Sequence, residues 1–431
     1  MKKILLVNGW SDDNKGDCAI VEGLINKIEE VDKDIVLNLN STLDLDGFSD
    51  KYHYRHTKKI EGFSTSTFVK KSGKVIKLIN IMYSFILLMV PSLHRNALYK
   101  KFLRNFASEA YCNHLDFFYD ADMVISKGGH ILVANNGIGG LLTLYKNIYP
   151  ILMGIRLKKV TIIFSQSIGP FESKLSTLLA SYTFNRVDKI LCREKKTHNL
   201  VKNLVSLKCK DNVKLTWDTA FSVVPKYKVD RIEEKYNSEE YFGVTIRKWD
   251  FSNNKDKKKS GYKEYIDGIV DSIKYLEEKY GLKALIIPQV TGPIEFEDDR
   301  LAIAELKEVL ENEGVQAEYL HGDYSPSELS YIYGKCKFVI GTRFHSVILS
   351  LVSGTPAIAI SYYGYKTIGI MSMFELSNYV VDINNIDKAD IRYKIDDLLS
   401  NIEEKKSIIR HKVDEANELI KGDIECILKE S

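Results

Sequence analysis

Short runs of hydrophobic residues alternate with helical patterns along most of the chain. The first run, Ile4 to Val7, is followed from Asp17 onward by apolar positions that fall on one face of a helix. The same succession of strand, loop and helix recurs at Met123 to Ile125, at Val160 to Phe164 and at Lys189 to Cys192. Because each strand is followed by a helix, the first half of the chain is predicted to form a doubly wound, parallel β-sheet.

A second series of the same kind follows a charged stretch at residues 224–240, which is the best candidate for a linker. Its strands are predicted at Tyr241 to Ile246, Ala284 to Ile287, Phe338 to Ile340 and Ala357 to Ile360. We therefore predict an α/β protein with an N-terminal domain over residues 1–225 and a C-terminal domain over 226–390. Residues 391–431 are predicted to form a helical tail. Two such domains in tandem would face a cleft.

One segment of the N-terminal domain departs from this pattern. Residues 75–93 form a strongly apolar run that is interrupted by Lys77, Asn80 and Pro91. The basic side chains that follow it are His94, Arg95, Lys100, Lys101 and Arg104. The run is too short and too broken for a transmembrane helix. We favour a buried core helix, with a helix that lies on an anionic membrane surface as the alternative.

Charge and cysteine content exclude several classes of protein. The 431 residues include 61 Lys plus Arg and 58 Asp plus Glu, so the formal net charge is only +3. A general nucleic-acid-binding protein normally has a clear basic excess, so we expect no nucleic-acid partner. The six cysteines are scattered without metal-ligand spacing, which favours free thiols in a reducing compartment. The apolar run at the N-terminus has no cleavage site after it, so a cytosolic protein is expected.

The loops of the N-terminal domain contain candidate sugar-binding residues. Asp17 begins the first helix, where free N–H groups could bind a ligand, or where Asp17 only caps the helix. Gly128 and Gly129 would let the backbone approach a ligand closely, and His130 beside them is either a ligand contact or structural. Gln166 lies in a predicted loop of hydroxyls and a Gly-Pro turn, which suits sugar recognition, although turn formation alone explains those residues.

Basic side chains follow two of the predicted strands. Arg193 comes directly after a strand of the N-terminal domain, where its guanidinium could bind a carboxylate or phosphate through two hydrogen bonds. The alternative is an ion pair between Arg193 and Glu194 or another neighbouring residue. Arg247 follows the first strand of the C-terminal domain, and we interpret it in the same way.

The densest group of candidate residues lies between positions 338 and 366. Arg343 and His345 enter a helix directly after one strand, and Lys366 follows the next strand. Three such side chains at the carboxyl ends of neighbouring strands would suit the binding of a small dianion together with proton transfer. The alternative is a capped helix with a buried histidine.

Eight motifs in their order resemble those of the polysaccharide pyruvyl transferase family. From the N-terminus they are NKGDCAI, ISKGGHIL, QSIGP, CRE, WDTAF, GVTIR, IGTRFHSVILSLVSGTP and ISYYGYK, and they span most of the chain. The resemblance implies two Rossmann-like domains that face a cleft, as in the GT-B fold. It also implies transfer of an enolpyruvyl-derived group from phosphoenolpyruvate to a sugar, which forms a cyclic pyruvate ketal on a polysaccharide or cell-wall glycan precursor.

The resemblance also assigns roles to individual residues. His345 matches the catalytic histidine of the family and Arg343 the arginine that accompanies it, while Arg193 and Lys366 match basic positions of catalysis or donor binding. We therefore expect His345 and Arg193 to be catalytic. Arg343, Lys366 and Arg247 are expected to bind the donor, in the C-terminal domain. Phosphoenolpyruvate is the expected donor substrate, without a metal or further cofactor.

The acceptor is predicted to bind in the N-terminal domain. The candidate acceptor-binding residues are Asp17, Gly128, Gly129, His130 and Gln166. Expected partners are phosphoenolpyruvate, a glycan or lipid-linked oligosaccharide, and an anionic membrane at the inner face of the cell membrane. Two alternative functions are a GT-B glycosyltransferase that uses a nucleotide sugar, and a non-catalytic module that binds glycans or anions.

Overall fold

The computed structural model describes residues 1–41, 57–60, 109–229, 240–251, 260–362 and 364–429, together with 232 and 236. The predicted apolar segment at residues 75–93 lies outside these ranges. Contacts divide the chain into two compact units. The first unit contains residues 1–12, 24–219 and 419–431, and the second contains residues 13–23 and 220–418.

The first unit is built on a parallel sheet. Its strands are β1 (Lys3–Gly9), β2 (Val36–Ser41), β3 (Thr57–Ile60), β4 (Met123–Ser126), β5 (Gly129–Ala134), β6 (Val160–Phe171), β7 (Lys189–Cys192) and β8 (Val213–Leu215). Their order is β3-β2-β1-β4-β6-β7-β8, and β5 pairs with β6. The chain moves outward from β1 to β3 and then returns to β4 on the other side of β1. Strands β1 and β4 therefore flank a topological switch point, where α/β sheets usually bind ligands.

Helices cover the sheet of the first unit. They are α1 (Lys15–Val31), which begins within the second unit, α2 (Glu109–Asp120), α3 (Ile138–Arg156), α4 (Lys174–Phe184) and α5 (Lys195–Leu204). Val7, Val124 and Ile163 of adjacent strands share a core with Ile148 and Tyr149 of α3. Among the described residues, α3 is the one helix whose length and apolar character would suffice to cross a membrane, and half of that stretch is buried.

The second unit is built on another parallel sheet. Its strands are β9 (Tyr241–Thr245), β10 (Lys283–Ile286), β11 (Ala317–Tyr319), β12 (Val339–Gly341), β13 (Ala357–Ser361) and β14 (Val380–Asp382), in the order β11-β10-β9-β12-β13-β14. Its helices are α6 (Gly261–Tyr280), α7 (Asp299–Asn312), α8 (Pro326–Gly334), α9 (Phe344–Val352), α10 (Gly364–Met373), α11 (Lys388–Ser400) and α12 (Ile402–Lys429). Here β9 and β12 flank the switch point, and Thr245 pairs with Gly341 at their carboxyl ends.

The sheets confirm the predicted α/β class with two doubly wound parallel domains, but three predicted loop residues lie in regular elements. His130 lies within β5, because the Gly-Gly pair opens a strand instead of a turn. Gln166 lies within β6, which continues through the predicted loop to Phe171. Lys366 lies within α10, since a helix and not a strand tip begins after β13.

The division into units differs in detail from the predicted boundaries. The second unit begins at Ala220, close to the predicted boundary at residue 225, but it also includes residues 13–23. Residues from Leu419 onward belong to the first unit, where the Asp423 carboxylate accepts a hydrogen bond of 2.6 Å from Thr216. The predicted tail is thus shared between the two units.

Candidate functional site

Hydrogen bonds tie together the loops at the switch point of the second unit. The Thr342 amide donates to the Thr245 carbonyl at 3.0 Å, which extends the pairing of β9 and β12. The hydroxyl groups of Thr245 and Ser346 lie 2.7 Å apart, and those of Tyr265 and Thr342 lie 2.8 Å apart. These bonds fix the start of α9, which contains His345, against the end of β9.

His345 is the second residue of α9 and lies in tight contact with the start of α1. A Cβ atom added to Gly16 would lie 2.4 Å from the Nδ1 atom of His345, so any side chain at position 16 would displace the imidazole. Residues around Gly16 are held within the second unit by backbone hydrogen bonds. Lys15 donates to the Gln289 carbonyl at 3.2 Å, and Thr291 donates to the Asp13 carbonyl at 2.9 Å. The NKGD motif thus supports the predicted catalytic histidine.

The start of α1 differs from what the sequence indicated. Asn14 caps the helix, since its side-chain oxygen accepts from the amides of Gly16 at 3.1 Å and Asp17 at 3.2 Å. The interpretation of Asp17 as the cap is therefore wrong. Asp17 belongs to the second unit, whereas the other predicted acceptor-binding residues belong to the first.

Lys15 is a buried cation that the sequence analysis missed. Its ammonium lies 2.7 Å from the Asp323 carboxylate, and the Lys15 side chain is almost fully buried. A positive charge in the first turn of a helix opposes the helix dipole. A lysine in that position therefore needs an anionic partner. A lysine in the first turn of a predicted helix was thus the sequence feature that could have identified Lys15.

Arg343 forms a buried ion pair with Asp299. Its Nε and Nη2 atoms donate to one Asp299 oxygen at 2.8 and 2.6 Å, and Nη2 also donates to the Glu297 carbonyl. The other Asp299 oxygen accepts from the amides of Gln289 and Val290, both at 2.9 Å. Burial raises the pKa of Asp299, while Arg343 and the two amides act in the opposite direction. Arg343, predicted to bind the donor, thus holds the loop after β10 to the start of α9.

Arg247 lies at the carboxyl end of β9 and contacts two aromatic rings. Its guanidinium carbon lies 4.4 Å from the ring centre of Tyr362 and 5.1 Å from that of Trp249. Its Nε atom donates to the Lys248 carbonyl at 3.0 Å. The sequence analysis did not find Trp249 and Tyr362, because an aromatic residue after a strand has no distinctive pattern. Lys366, in α10 after β13, is also buried.

Arg193 lies in a buried polar network of the first unit. Its Nε atom donates to the Ser167 hydroxyl at 2.6 Å and lies 3.5 Å from Glu194, and its Nη1 atom donates to Asp218. The Glu194 carboxylate accepts from Ser167 at 3.0 Å and from Thr197 at 2.6 Å. The ion pair with Glu194, which the sequence left as an alternative, is therefore present.

The remaining predicted acceptor residues lie around the β5–β6 pairing. Gly129 pairs with Gln166 in the ladder, with the buried Gly128 directly before β5. The Gln166 side chain is fully buried, and neither polar atom of its amide has a hydrogen-bond partner among the described residues. His130 Nε2 lies 2.8 Å from the Gly169 carbonyl oxygen. Because a carbonyl only accepts, Nε2 carries the hydrogen, which supports the structural interpretation of His130.

Four of the five predicted catalytic and donor-binding residues thus lie in the second unit, and the fifth, Arg193, lies in the first. His345 and Arg343 follow β12, Arg247 follows β9, and Lys366 follows β13. These three strands are adjacent in the sheet, so all four residues lie along one edge of it.

Comparison with known proteins identifies the family. The model of the polysaccharide pyruvyl transferase family matches residues 14–365. The chain belongs to this family. This pyruvyl transferase is also 24% identical over 418 residues to the "Amylovoran biosynthesis protein AmsJ" of Erwinia amylovora, and the aligned region covers 93% of each chain. The comparison confirms the predicted enzyme class, and it favours pyruvyl transfer over the nucleotide-sugar transferase and the non-catalytic module.

Solved structures similar to the pyruvyl transferase confirm the fold class. The UDP-GlcNAc 2-epimerase from Neisseria meningitidis matches with a TM-score of 0.57 and 11% identity, over 100% of both chains. A UGT transferase from Siraitia grosvenorii matches with a TM-score of 0.51 and 10% identity, over 99% of this chain and 100% of its own. At such low identities these likenesses concern the fold alone, which is GT-B-like with two Rossmann-like domains.

Proposed function

We propose that this enzyme transfers the enolpyruvyl-derived group of phosphoenolpyruvate to two hydroxyls of one sugar and releases phosphate. The product is a cyclic pyruvate ketal on an exopolysaccharide or its lipid-linked precursor. Membership in the pyruvyl transferase family and the similarity to a protein named for amylovoran biosynthesis support this proposal.

The basic sheet edge of the second unit is the observation that carries the choice of donor. Phosphoenolpyruvate has a carboxylate and a phosphate, so its site needs several positive charges close together. Arg247 and Lys366 follow strands on either side of β12, and His345 follows β12 itself. In this proposal the two basic side chains bind the donor, and the histidine transfers protons.

The reaction has two steps in this scheme. A sugar hydroxyl adds to C2 of the enol while a proton is added to C3, which converts the methylene group into a methyl group and gives a tetrahedral ketal phosphate. A second hydroxyl of the same sugar then displaces phosphate and closes the ring. His345 accepts the proton of the first hydroxyl and supplies the proton that C3 gains, so the first step is a net addition. The proton of the second hydroxyl leaves with the phosphate, which the basic side chains stabilise.

The acceptor sugar is proposed to bind the first unit near Gln166. A sugar hydroxyl both donates and accepts a hydrogen bond, and the Gln166 amide offers both functions without a partner of its own among the described residues. We further propose that Arg193, which lies in the first unit, is a catalytic residue.

A lipid-linked acceptor would place the enzyme in the cytoplasm at the inner face of the cell membrane. This location needs the alternative interpretation of residues 75–93, in which the apolar run lies on the membrane surface and the basic side chains after it contact anionic lipids. Sedimentation with anionic vesicles at low and high salt tests it. Binding that does not weaken with salt, or no binding at all, would contradict electrostatic attachment.

The enzyme can be tested with isolated lipid-linked glycans as acceptors. We expect phosphate release and a ketal-modified glycan, detected by mass spectrometry, with phosphoenolpyruvate but not with nucleotide sugars. The His345→Ala variant should fold normally and form no ketal. Turnover with a nucleotide sugar, or near-normal turnover of this variant, would refute the donor or the role of His345, respectively.

A further inference from the structure

The two arginines of the predicted donor site differ in how much of their charge remains available. The Arg343 and Asp299 side chains are 8% and 0% exposed and are joined by two hydrogen bonds. The positive charge of Arg343 is thus already matched by a buried negative charge. An incoming anion would have to compete with the Asp299 carboxylate, which makes Arg343 a poor binding group for the donor.

Arg247 has no such partner in the part of the chain that the structure describes. Among the residues that the structure describes, no carboxylate lies within ion-pair distance of Arg247, and neither of its terminal NH2 groups has a hydrogen-bond partner. Its one side-chain hydrogen bond uses Nε. The residue is nevertheless only 7% exposed. A guanidinium that is largely withdrawn from water and has no anionic partner among the described residues is costly, and its terminal NH2 groups keep some solvent access, so this arrangement indicates that an anionic ligand completes it.

Aromatic contacts hold this guanidinium in place. The Trp249 and Tyr362 rings lie 5.0 Å apart at their centres, and both lie within about 5 Å of the Arg247 guanidinium carbon. The two ring centres lie as close to each other as to the guanidinium carbon, so both rings contact it from one side, while the bond from Nε to the Lys248 carbonyl fixes one edge of the group. The two terminal NH2 groups remain as a planar pair of donors.

This geometry fits a carboxylate. A planar carboxylate accepts two parallel N–H bonds from a guanidinium, whereas a lysine ammonium is a point charge that also suits phosphate. We infer that Arg247 binds the carboxylate of the donor and that Trp249 and Tyr362 are positioning residues that hold its guanidinium for this contact. This inference rests on the proposed function, in which the donor is phosphoenolpyruvate.

Steady-state kinetics with varied phosphoenolpyruvate test the inference. Arg247→Lys keeps the charge but removes the paired donors, so we expect the KM for phosphoenolpyruvate to rise by about 10- to 100-fold. Tyr362→Leu should also raise this KM, with a smaller change in kcat, and Tyr362→Phe should restore it. Arg300→Lys is the matched control, because Arg300 is an exposed arginine of the same unit, and it should leave both constants unchanged.

Competition with single anions separates the carboxylate from the phosphate. Pyruvate should inhibit Arg247→Lys much less than it inhibits the wild type, while inhibition by inorganic phosphate should change little. Melting temperatures identify any variant that fails to fold. If Arg247→Lys does not fold, the KM for phosphoenolpyruvate of Tyr362→Phe compared with that of Tyr362→Leu tests the inference. The inference would be overturned if Arg247→Lys left the KM unchanged. It would also be overturned if Tyr362→Leu and Tyr362→Phe both raised KM and lowered kcat by the same factor. A wild-type enzyme that does not use phosphoenolpyruvate would refute the proposed function instead.

Discussion

Substituting Gly16 by alanine tests the contact between the start of α1 and His345. The new Cβ would lie 2.4 Å from Nδ1 of the imidazole, whereas ordinary contacts begin at 3.4 Å. The imidazole must therefore retreat by about 1 Å or change its rotamer. A catalytic group displaced by about 1 Å can lose about 100-fold in rate, which corresponds to about 2.7 kcal/mol of transition-state stabilisation.

The assay is ketal formation, measured as pyruvate incorporated into the isolated glycan per unit time. Gly422→Ala is the matched control, because Gly422 is also helical but has no atom within 4 Å of an added Cβ. Alanine should favour the helix at both positions by about 0.5–1 kcal/mol. We therefore expect Gly422→Ala to keep full activity, while Gly16→Ala loses about 100-fold in kcat.

A double-mutant cycle isolates the steric cause. In the wild-type background the clash with the imidazole should cost more stability than the helix gains from alanine, whereas in a His345→Ala background the ring is gone and most of that cost should disappear. Full activity of Gly16→Ala, or an equal loss of stability in both backgrounds, would refute the claim that position 16 acts through the imidazole.

Three further predictions concern buried polar groups. Asp299→Asn leaves the Arg343 charge uncompensated and should lower the free energy of unfolding by about 3–5 kcal/mol in urea denaturation; a loss below about 1 kcal/mol would contradict a stabilising ion pair. Gln166→Leu loses no side-chain hydrogen bond to any residue that the structure describes, so it should not lower the melting temperature, but it should raise the KM for the acceptor; an unchanged acceptor KM would remove Gln166 from that site. Burial raises the pKa of Glu22 from 4.5 to about 7, so the folded protein keeps a proton that the unfolded chain loses as the pH rises through this range. The free energy of unfolding should therefore fall by up to about 3 kcal/mol between pH 4.5 and pH 7, and Glu22→Gln should flatten this part of the stability profile; an unchanged profile would contradict the raised pKa.

Local sequence patterns predicted the elements that are uniformly apolar. Strand β7 lies at the predicted position, because its residues are buried on both faces and the three after Lys189 form a short apolar run. Strand β2 was missed, since Asn38 and Asn40 interrupt its apolar pattern although both side chains are buried. The pattern records the polarity of the side chains and not their burial, so such strands cannot be found this way.

The order of residues at the site was predictable, but their partners were not. Arg343 and His345 were found because they follow a clear strand. Asp299, which accepts the hydrogen bonds of Arg343, lies 44 residues earlier in the chain, and Gly16 lies still farther from His345. Pairings at such distances depend on the tertiary fold, which a single sequence does not reveal.

The assignment of residues 13–23 to the second unit has a consequence for building hybrid enzymes. A chimera joined only near residue 220 would combine a native His345 with a foreign NKGD segment, although the two segments are in contact. The last part of α12 would also be foreign to the first unit that it packs against. Exchange of the second unit between relatives therefore requires three junctions, near residues 12, 23 and 219, and a fourth within the final helix.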